Sequence, residues 1–181
     1  MTFRQLNAEE ITDIINIHMN RDFPADELRP EWTFRNMIEE GSCRFYGLFD
    51  GEVLVAYGNI VNGVVSNLLD YFAVVPEFRC RGIGTIALSE LMKVCDGLIL
   101  EVENPDYATD IKTEKLRRRR IEFYKRMGAV ESGISGRALG VEYLVLFIGK
   151  RRDFARLGIE LRELYRTLYP GLDVEKAVNY A

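Results

Sequence analysis

The 181-residue sequence predicts an α+β fold, in which a mixed, mostly antiparallel central sheet is flanked by helices and followed by an additional C-terminal amphipathic helix. Three observations carry that expectation. Runs of β-branched and aromatic residues at 43–49, 53–61 and 64–75 are separated by Asp50-Gly51 and Asn62-Gly63, dipeptides that accept the positive φ of two-residue hairpins. From Val75 onward the pattern becomes strand, loop, helix, strand, helix, strand, strand. Residues 150–169 then place apolar side chains at helical spacing.

Taken in order, residues 3–6 read as a short strand. Asn7 and Glu10 have the spacing of a capping box ahead of Ile11, Ile14, Ile15 and His18, which marks the first helix. A second helix starts near Pro30, carries Trp32, Phe34, Met37 and Ile38, and stops at Gly41; a polar loop at 22–29 joins the two. The three apolar runs then form an antiparallel meander. Ile83, Ala87, Leu88, Leu91, Met92 and Cys95 mark a third helix closed by Gly97, and residues 98–103 form a strand reached by a parallel crossover. A loop at 104–110 leads to a helix through Leu116, Arg120, Phe123 and Met127 with Gly128 as its C-cap. Residues 129–134 and 141–148 make a last hairpin across a loop containing Gly136 and Gly140. Beyond a core domain at 1–149, the extension at 150–181 bears a stripe of Phe154, Leu157, Leu161, Leu164, Tyr165 and Leu168. The stripe specifies burial but not its partner, so the same domain and a second subunit of a homodimer both satisfy it.

A net charge of -4 and a pI near 5.2 provide no general field for gathering nucleic acid or an anionic membrane, so neither is expected as a partner and any anion site must be local. No basic leader precedes an apolar core, and apolar runs such as residues 144–148 fall far short of the roughly 20 needed to span a bilayer. The expectation is a soluble, cytoplasmic protein. Cys43, Cys80 and Cys95 lack metal or redox spacing and read as free thiols. With His18 as the only histidine, a His/Cys zinc site and a His-dependent triad are disfavoured, and no metal is expected. Arg117, Arg118, Arg119 and Arg120 read as a solvated helix face.

The most informative segment runs from Tyr71 to Thr85. An apolar strand leads into Arg79-Cys80-Arg81-Gly82-Ile83-Gly84-Thr85, and an amphipathic helix begins at once. A helix start offers unpaired N–H groups and about half a positive charge, which suits a pyrophosphate, and glycine lets the backbone approach it closely. Arg79, Arg81 and Thr85 add candidate side-chain donors. The pattern is neither the three-glycine dinucleotide fingerprint nor a Walker loop, and the meander ahead of it disfavours a nucleotide-binding domain of Rossmann type.

This order of elements resembles the GNAT superfamily of acetyl-CoA-dependent N-acetyltransferases. The family's Gln/Arg-x-x-Gly-x-Gly/Ala signature matches Arg79, Gly82 and Gly84, and its later helix resembles Phe123-Tyr124-Lys125-Arg126-Met127-Gly128-Ala129, with Ala129 where the family often has an aromatic residue. The resemblance covers roughly residues 1–149. It implies acetyl-CoA as co-substrate, held by Arg79, Cys80, Arg81, Gly82, Ile83, Gly84 and Thr85. Backbone groups of Phe72, Ala73 and Val74 are implied to meet the pantetheine and the thioester oxygen. It further implies that Tyr124 stands near the sulfur and protonates the departing thiolate. Asn104, just past the fifth strand, is a candidate for the pantetheine.

The implied reaction moves an acetyl group to a primary amine of a small molecule or peptide by direct attack. An amine of pKa near 10.4 costs about 4.6 kcal/mol to deprotonate at pH 7, so a base or water relay is worth having. Asp70, on one strand face with Phe72 and Val74, and Glu101 and Glu103, sharing a face of the fifth strand, are the carboxylate candidates. A domain that senses acyl-CoA without turnover is the alternative. The acceptor is expected to meet the loops at 22–29, 104–110 and 135–140.

Overall fold

Asn7 opens the first helix as its spacing predicts. Its side chain accepts from the Glu10 amide and the Glu10 carboxylate accepts from the Asn7 amide, both at 3.0 Å. Arg4 adds a guanidinium to the same carboxylate. Those two donors, Arg4 first, hold the Glu10 carboxyl down to about 2 from an ordinary 4.5. A carboxyl depressed on folding contributes stability above its unfolded value and loses it as pH falls through the folded one. In urea titrations, the stability gap between the parent and Glu10→Gln is therefore expected to shrink from pH 4.5 downward and close near pH 2.

The structure is a computed structural model that describes residues 1–25 and 27–181; Asp26, inside the loop predicted at 22–29, lies outside the described residues. Two compact units share the chain. The first comprises Met1–Asn62 and Asp70–Val94, the second Gly63–Leu69 and Cys95–Ala181.

In the first unit, β1 (Thr2–Gln5) pairs antiparallel with β2 (Cys43–Asp50), which pairs antiparallel with β3 (Val53–Val61). The turn between β2 and β3 has Gly51 at φ 61, the left-handed conformation that the Asp-Gly dipeptide predicts. The first helix is α1 (Ala8–Asp13), continued by a π-helical stretch, Ile14–Met19, and a last turn, α2 (Asn20–Asp22). Asn20 Nδ2 donates to the carbonyls of Ile15 and Asn16 at 3.1 Å each, serving acceptors that the wider turn presents. Helix α3 (Glu31–Glu39) ends before Gly41 at φ 70. Its Phe34 meets the rings of Phe45 and Tyr71, while Ile83 and Ala87 of α4 (Ile83–Leu91) pack with Leu48, Val55 and Ala56. Phe45 and Leu48 fall on opposite faces of β2, so α3 and α4 cover opposite faces of this part of the sheet.

In the second unit, the start of β4 (Asn67–Val74) pairs parallel with β5 (Gly97–Glu103) at Asn67↔Leu98 and Leu68↔Ile99. β5 pairs antiparallel with β7 (Val141–Gly149), β7 with β6 (Val130–Ala138), and β6 with β8 (Val178–Tyr180). The order among the described strands is β1-β2-β3-β4-β5-β7-β6-β8, with one parallel pair, the crossover through α4. Helix α5 (Ile111–Arg126) buries Ile121 and Tyr124, and α6 (Leu157–Leu168) buries Leu157, Leu161, Leu164, Tyr165 and Leu168. The short α7 (Val174–Ala177) leads into β8.

Several boundaries depart from the sequence reading for identifiable reasons. Asn62-Gly63 is not a two-residue turn: the third long strand begins only at Asn67, whose side chain accepts from the Gly63 amide. A Cβ on Gly63 would sit 2.1 Å from the Ser66 carbonyl, so close approach requires this glycine. The helix after the phosphate loop ends at Leu91, and Gly97 opens β5, where a Cβ would meet the Phe147 ring at 2.5 Å. Residues 135–138, predicted as part of an acceptor loop, are strand, and the turn narrows to Leu139 and Gly140 at φ 51 and 92. Gly136 lies inside β6 because β8 runs against it, with the Asn179 carbonyl 2.0 Å from a built Cβ. The last long helix spans Leu157–Leu168 instead of 150–169, and α7 and β8 were not anticipated.

Candidate active site

The strand β4 delivers the chain to a turn at Pro76–Phe78 and then to the glycine loop. Cys80 and Gly82 both adopt left-handed conformations, φ 62 and 77, and Gly82 is the N-cap of α4 with no side chain capping the helix. A Cβ built on Gly82 meets nothing within 4 Å. The glycine is thus required by its φ, and the space before the helix amides stays open. Burial of Ile83, Ala87, Leu88 and Leu91 fixes the direction in which those amides point. Arg81 is exposed, its guanidinium 5.8 Å from the Phe78 ring centroid. An uncapped nine-residue helix with an open left-handed glycine and a nearby arginine has the donor set a diphosphate needs. Thr85 is exposed one turn in, Gly84 lies between, and Phe72, Ala73 and Val74 are partly buried on the strand leading to the loop.

Arg79 is engaged within the protein. Its Nε donates to the Val74 carbonyl at 2.9 Å and its Nη2 to Asp22 Oδ1 at 3.0 Å. Asp22 is almost wholly buried and also accepts from Tyr57 Oη at 3.1 Å and from Arg21. Burial first, and then the Asp22 charge, push the Tyr57 phenol up, so it remains a proton donor to Asp22. Arg79 therefore braces the end of β4 and ties the glycine loop to the end of the first helix.

Asp70 occupies a second buried pair. Arg29 donates to both its carboxylate oxygens, and Asn59 Nδ2 approaches at 3.3 Å. The guanidinium also lies 5.0 Å from the ring centroids of Phe34 and Tyr71. With side chains only 4% and 11% exposed, removing one partner strands the other charge. Arg29→Met is expected to lower stability by about 3 kcal/mol in urea titration. Cys43 lies close enough to feel this pair: burial, and then Asp70, push its thiol up to about 12, so it stays protonated and inert at pH 7. A cavity of about 190 Å³ beside Arg29 is lined by Ile15, Met19, Leu28, Pro30 and Phe34, with Asn16, Asn20 and Glu31 as polar groups.

The second unit holds the remaining candidates. Glu103 accepts from Arg117 at 2.6 Å and from Arg120 at 3.2 Å, both from α5. Glu101 accepts from Tyr165 Oη at 3.2 and 3.3 Å and from Tyr180 Oη. Asn104 caps the turn Pro105–Tyr107, its Oδ1 accepting from the Asp106 amide at 3.0 Å. Its own carbonyl accepts from Arg117. Tyr124 is buried on α5 against Phe123, and its carbonyl closes the helix by accepting from the amides of Met127 and Ala129 at 3.0 Å, with Gly128 at φ 92. Burial pushes the Tyr124 phenol up, against the opposing charge of Arg120, so the hydroxyl is protonated at neutral pH.

Sequence reasoning named the loop, the strand and the three carboxylates as candidates, but not the side chains that hold them. Asp22, Arg29, Asn59, Tyr165 and Tyr180 carry no motif. Tyr165 was read only as one member of an apolar stripe, and Tyr180 lies past the predicted helix.

Comparison with known proteins bears on the fold and the family. The model of the Acetyltransferase (GNAT) family matches residues 11–129, more than half of the chain. A search of curated proteins returned no match. Among solved structures, one assigned to the GNAT acetyltransferases of Bacteroides thetaiotaomicron superposes with a TM-score of 0.77 at 17% identity, covering 93% of this chain and 98% of its own. The ribosomal-protein-S18-alanine N-acetyltransferase of Escherichia coli gives 0.60 at 19% identity, over 83% and 95%. An aminoglycoside 6'-N-acetyltransferase complexed with coenzyme A gives 0.61 at 15%, over 83% and 99%. At these identities the neighbours establish the fold, and the family model establishes the lineage: this chain belongs to the GNAT family of acetyltransferases and is an acyltransferase.

Proposed function

We propose that this protein transfers an acetyl group from acetyl-CoA to a primary amine of a small molecule or peptide by direct attack. The observation that carries the reading is the uncapped start of α4 with Gly82 at φ 77 and open space before it. Amides of Gly82, Ile83 and Gly84, with the side chains of Arg81 and Thr85, hold the diphosphate of the coenzyme; the Thr85 amide itself donates to the Gly82 carbonyl, and Arg79 holds the loop that presents the donors. When bound, acetyl-CoA supplies the activated acyl group. Backbone groups of Phe72, Ala73 and Val74 are assigned to the thioester oxygen and pantetheine, the latter shared with Asn104.

Asp70 and Glu103 each receive a guanidinium, and Glu101 accepts from the hydroxyls of Tyr165 and Tyr180. These three carboxylates are the candidates to receive the acceptor's proton, directly or through water, and Tyr124 is assigned to protonate the thiolate. The cavity beside Arg29 supports the region at 22–29 as the place of the acceptor's body. By name, the E. coli neighbour acts on an alanine of ribosomal protein S18 and the other on an aminoglycoside, and both classes are worth offering.

The test has two arms. Acetyl-CoA at a hundred times its dissociation constant adds about 2.7 kcal/mol, a rise of roughly 5 to 11 °C in melting temperature, and NAD and ATP should leave it unchanged. Thiol release is then measured with benzylamine, an alanyl tripeptide and an aminoglycoside. Coenzyme binding without release on any amine would favour a sensor of acyl-CoA, and a shift with NAD instead would end the proposal.

A further inference from the structure

The buried stripe of the first helix ends in a charge. Ile11, Ile15 and Met19 are buried, and Asp22, in the last turn α2, follows them with its side chain 1% exposed. Taking a carboxylate out of water is costly, and an apolar residue of similar volume often serves stability as well or better, so a buried ion pair is weak evidence of a stabilising role. What this charge secures is geometry. Asp22 Oδ1 accepts from Arg79 Nη2 at 3.0 Å and Oδ2 accepts from Tyr57 Oη at 3.1 Å, while Arg21, on the same turn, donates to both oxygens at 3.3 Å. Tyr57 comes from β3 and is itself buried, so the carboxylate is fixed between the sheet and the helix end.

We propose that Asp22 is a positioning residue for the coenzyme, acting through Arg79 to hold the glycine loop in the conformation that presents its amides. This rests on the reading of that loop as the diphosphate site. Arg79 stands immediately before the two left-handed residues, Cys80 at φ 62 and Gly82 at φ 77. A residue other than glycine is strained in that conformation, and such strain persists only where the surroundings enforce it. Arg79 supplies a constraint at two points, since its Nε donates to the Val74 carbonyl at the end of β4 while its Nη2 is held by Asp22. The backbone entering the loop is thus tied to a strand and to a helix. Its amides are aimed before any ligand arrives, which lowers the ordering cost of binding. A carboxylate acting only through its charge would do the reverse, because a negative group close to a diphosphate site repels the ligand. Positioning and charge therefore predict opposite signs when Asp22 is neutralised.

The experiment measures binding of coenzyme A by titration calorimetry to the parent, Asp22→Asn, Arg79→Gln and the double variant, with the unliganded melting temperature recorded for each. Asparagine keeps the size of Asp22 and one acceptor oxygen, and Arg79 is a half-exposed side chain, so the second variant keeps the test open should the first fold poorly. Each single variant is expected to raise the dissociation constant about tenfold. The double variant should bind no more weakly than either, because the two side chains act as one unit. Acetylpantetheine, which lacks the diphosphate, is titrated against the parent and Asp22→Asn by ligand-observed NMR. It should bind both within about twofold, an outcome that general loosening of the fold would not give. Binding by Asp22→Asn as tight as the parent's or tighter, parental binding by Arg79→Gln, losses that add in the double variant, or an equal loss for acetylpantetheine would each overturn the inference. Gly82→Glu, run beside them, tests the loop itself. If that variant binds coenzyme A normally, the diphosphate reading fails and this inference with it; if it loses binding while Asp22→Asn keeps the parental value, the inference alone fails.

Discussion

Gly82→Glu is expected to abolish the rise in melting temperature predicted for the parent protein with acetyl-CoA. Two effects add in the same direction. The residue is at φ 77, where a side chain with a Cβ is strained by about 1–2 kcal/mol, so the loop shifts toward a conformation that turns its amides away. The new side chain meets no steric barrier, because nothing lies within 4 Å of a Cβ there. Its carboxylate sits at the N-cap of the uncapped α4, where a negative group competes for the helix amides and repels a diphosphate. The comparison with Gly82→Ala separates the two effects: alanine brings the strain without the charge and should reduce the shift without removing it. Differential scanning fluorimetry with a series of acetyl-CoA concentrations reads both.

Tyr124→Phe is expected to lower the rate of transfer by a factor of about 10² to 10⁴ and to leave the dissociation constant of acetyl-CoA nearly unchanged. The change removes one oxygen from a buried ring that packs on Phe123, so the helix end, which is closed through the Tyr124 carbonyl, is not disturbed. Burial keeps the phenol protonated well above neutrality, the state a proton donor needs before the thiolate leaves. Steady-state kinetics with a thiol-release readout, beside calorimetric binding of the coenzyme, checks both halves. A variant with parental kcat would remove Tyr124 from the chemistry and return it to packing.

Much of this molecule was legible because its signals are local. The Asn7 and Glu10 box, the glycine pair at 82 and 84 and the Gly128 helix end are each set by backbone conformations a few residues long, and each appears where its spacing indicates. Most of the misread glycines have a non-local cause. Gly97 and Gly136 were read as a cap and a loop residue, whereas each is glycine because a distant part of the chain passes too close for a Cβ, an approach invisible in a sequence window; at Gly63 the crowding comes from the Ser66 carbonyl of its own turn. The carboxylate candidates illustrate the same limit. Alternation grouped Glu101 with Glu103 on one strand, but the side chains that bond them come from α5, α6 and β8, 14 to 79 residues away, beyond the reach of any sequence window. Arg79 shows how a motif residue can be present for a different reason: it completes the signature and spends its donors on Val74 and Asp22.

A crystal structure of the protein with acetyl-CoA tests the reading of the glycine loop most directly. The diphosphate is expected against the amides of residues 82–84, with N···O distances of about 2.9 Å, and with Arg79 still bonded to Asp22. Density for the coenzyme at another place, with those amides facing solvent, would contradict it.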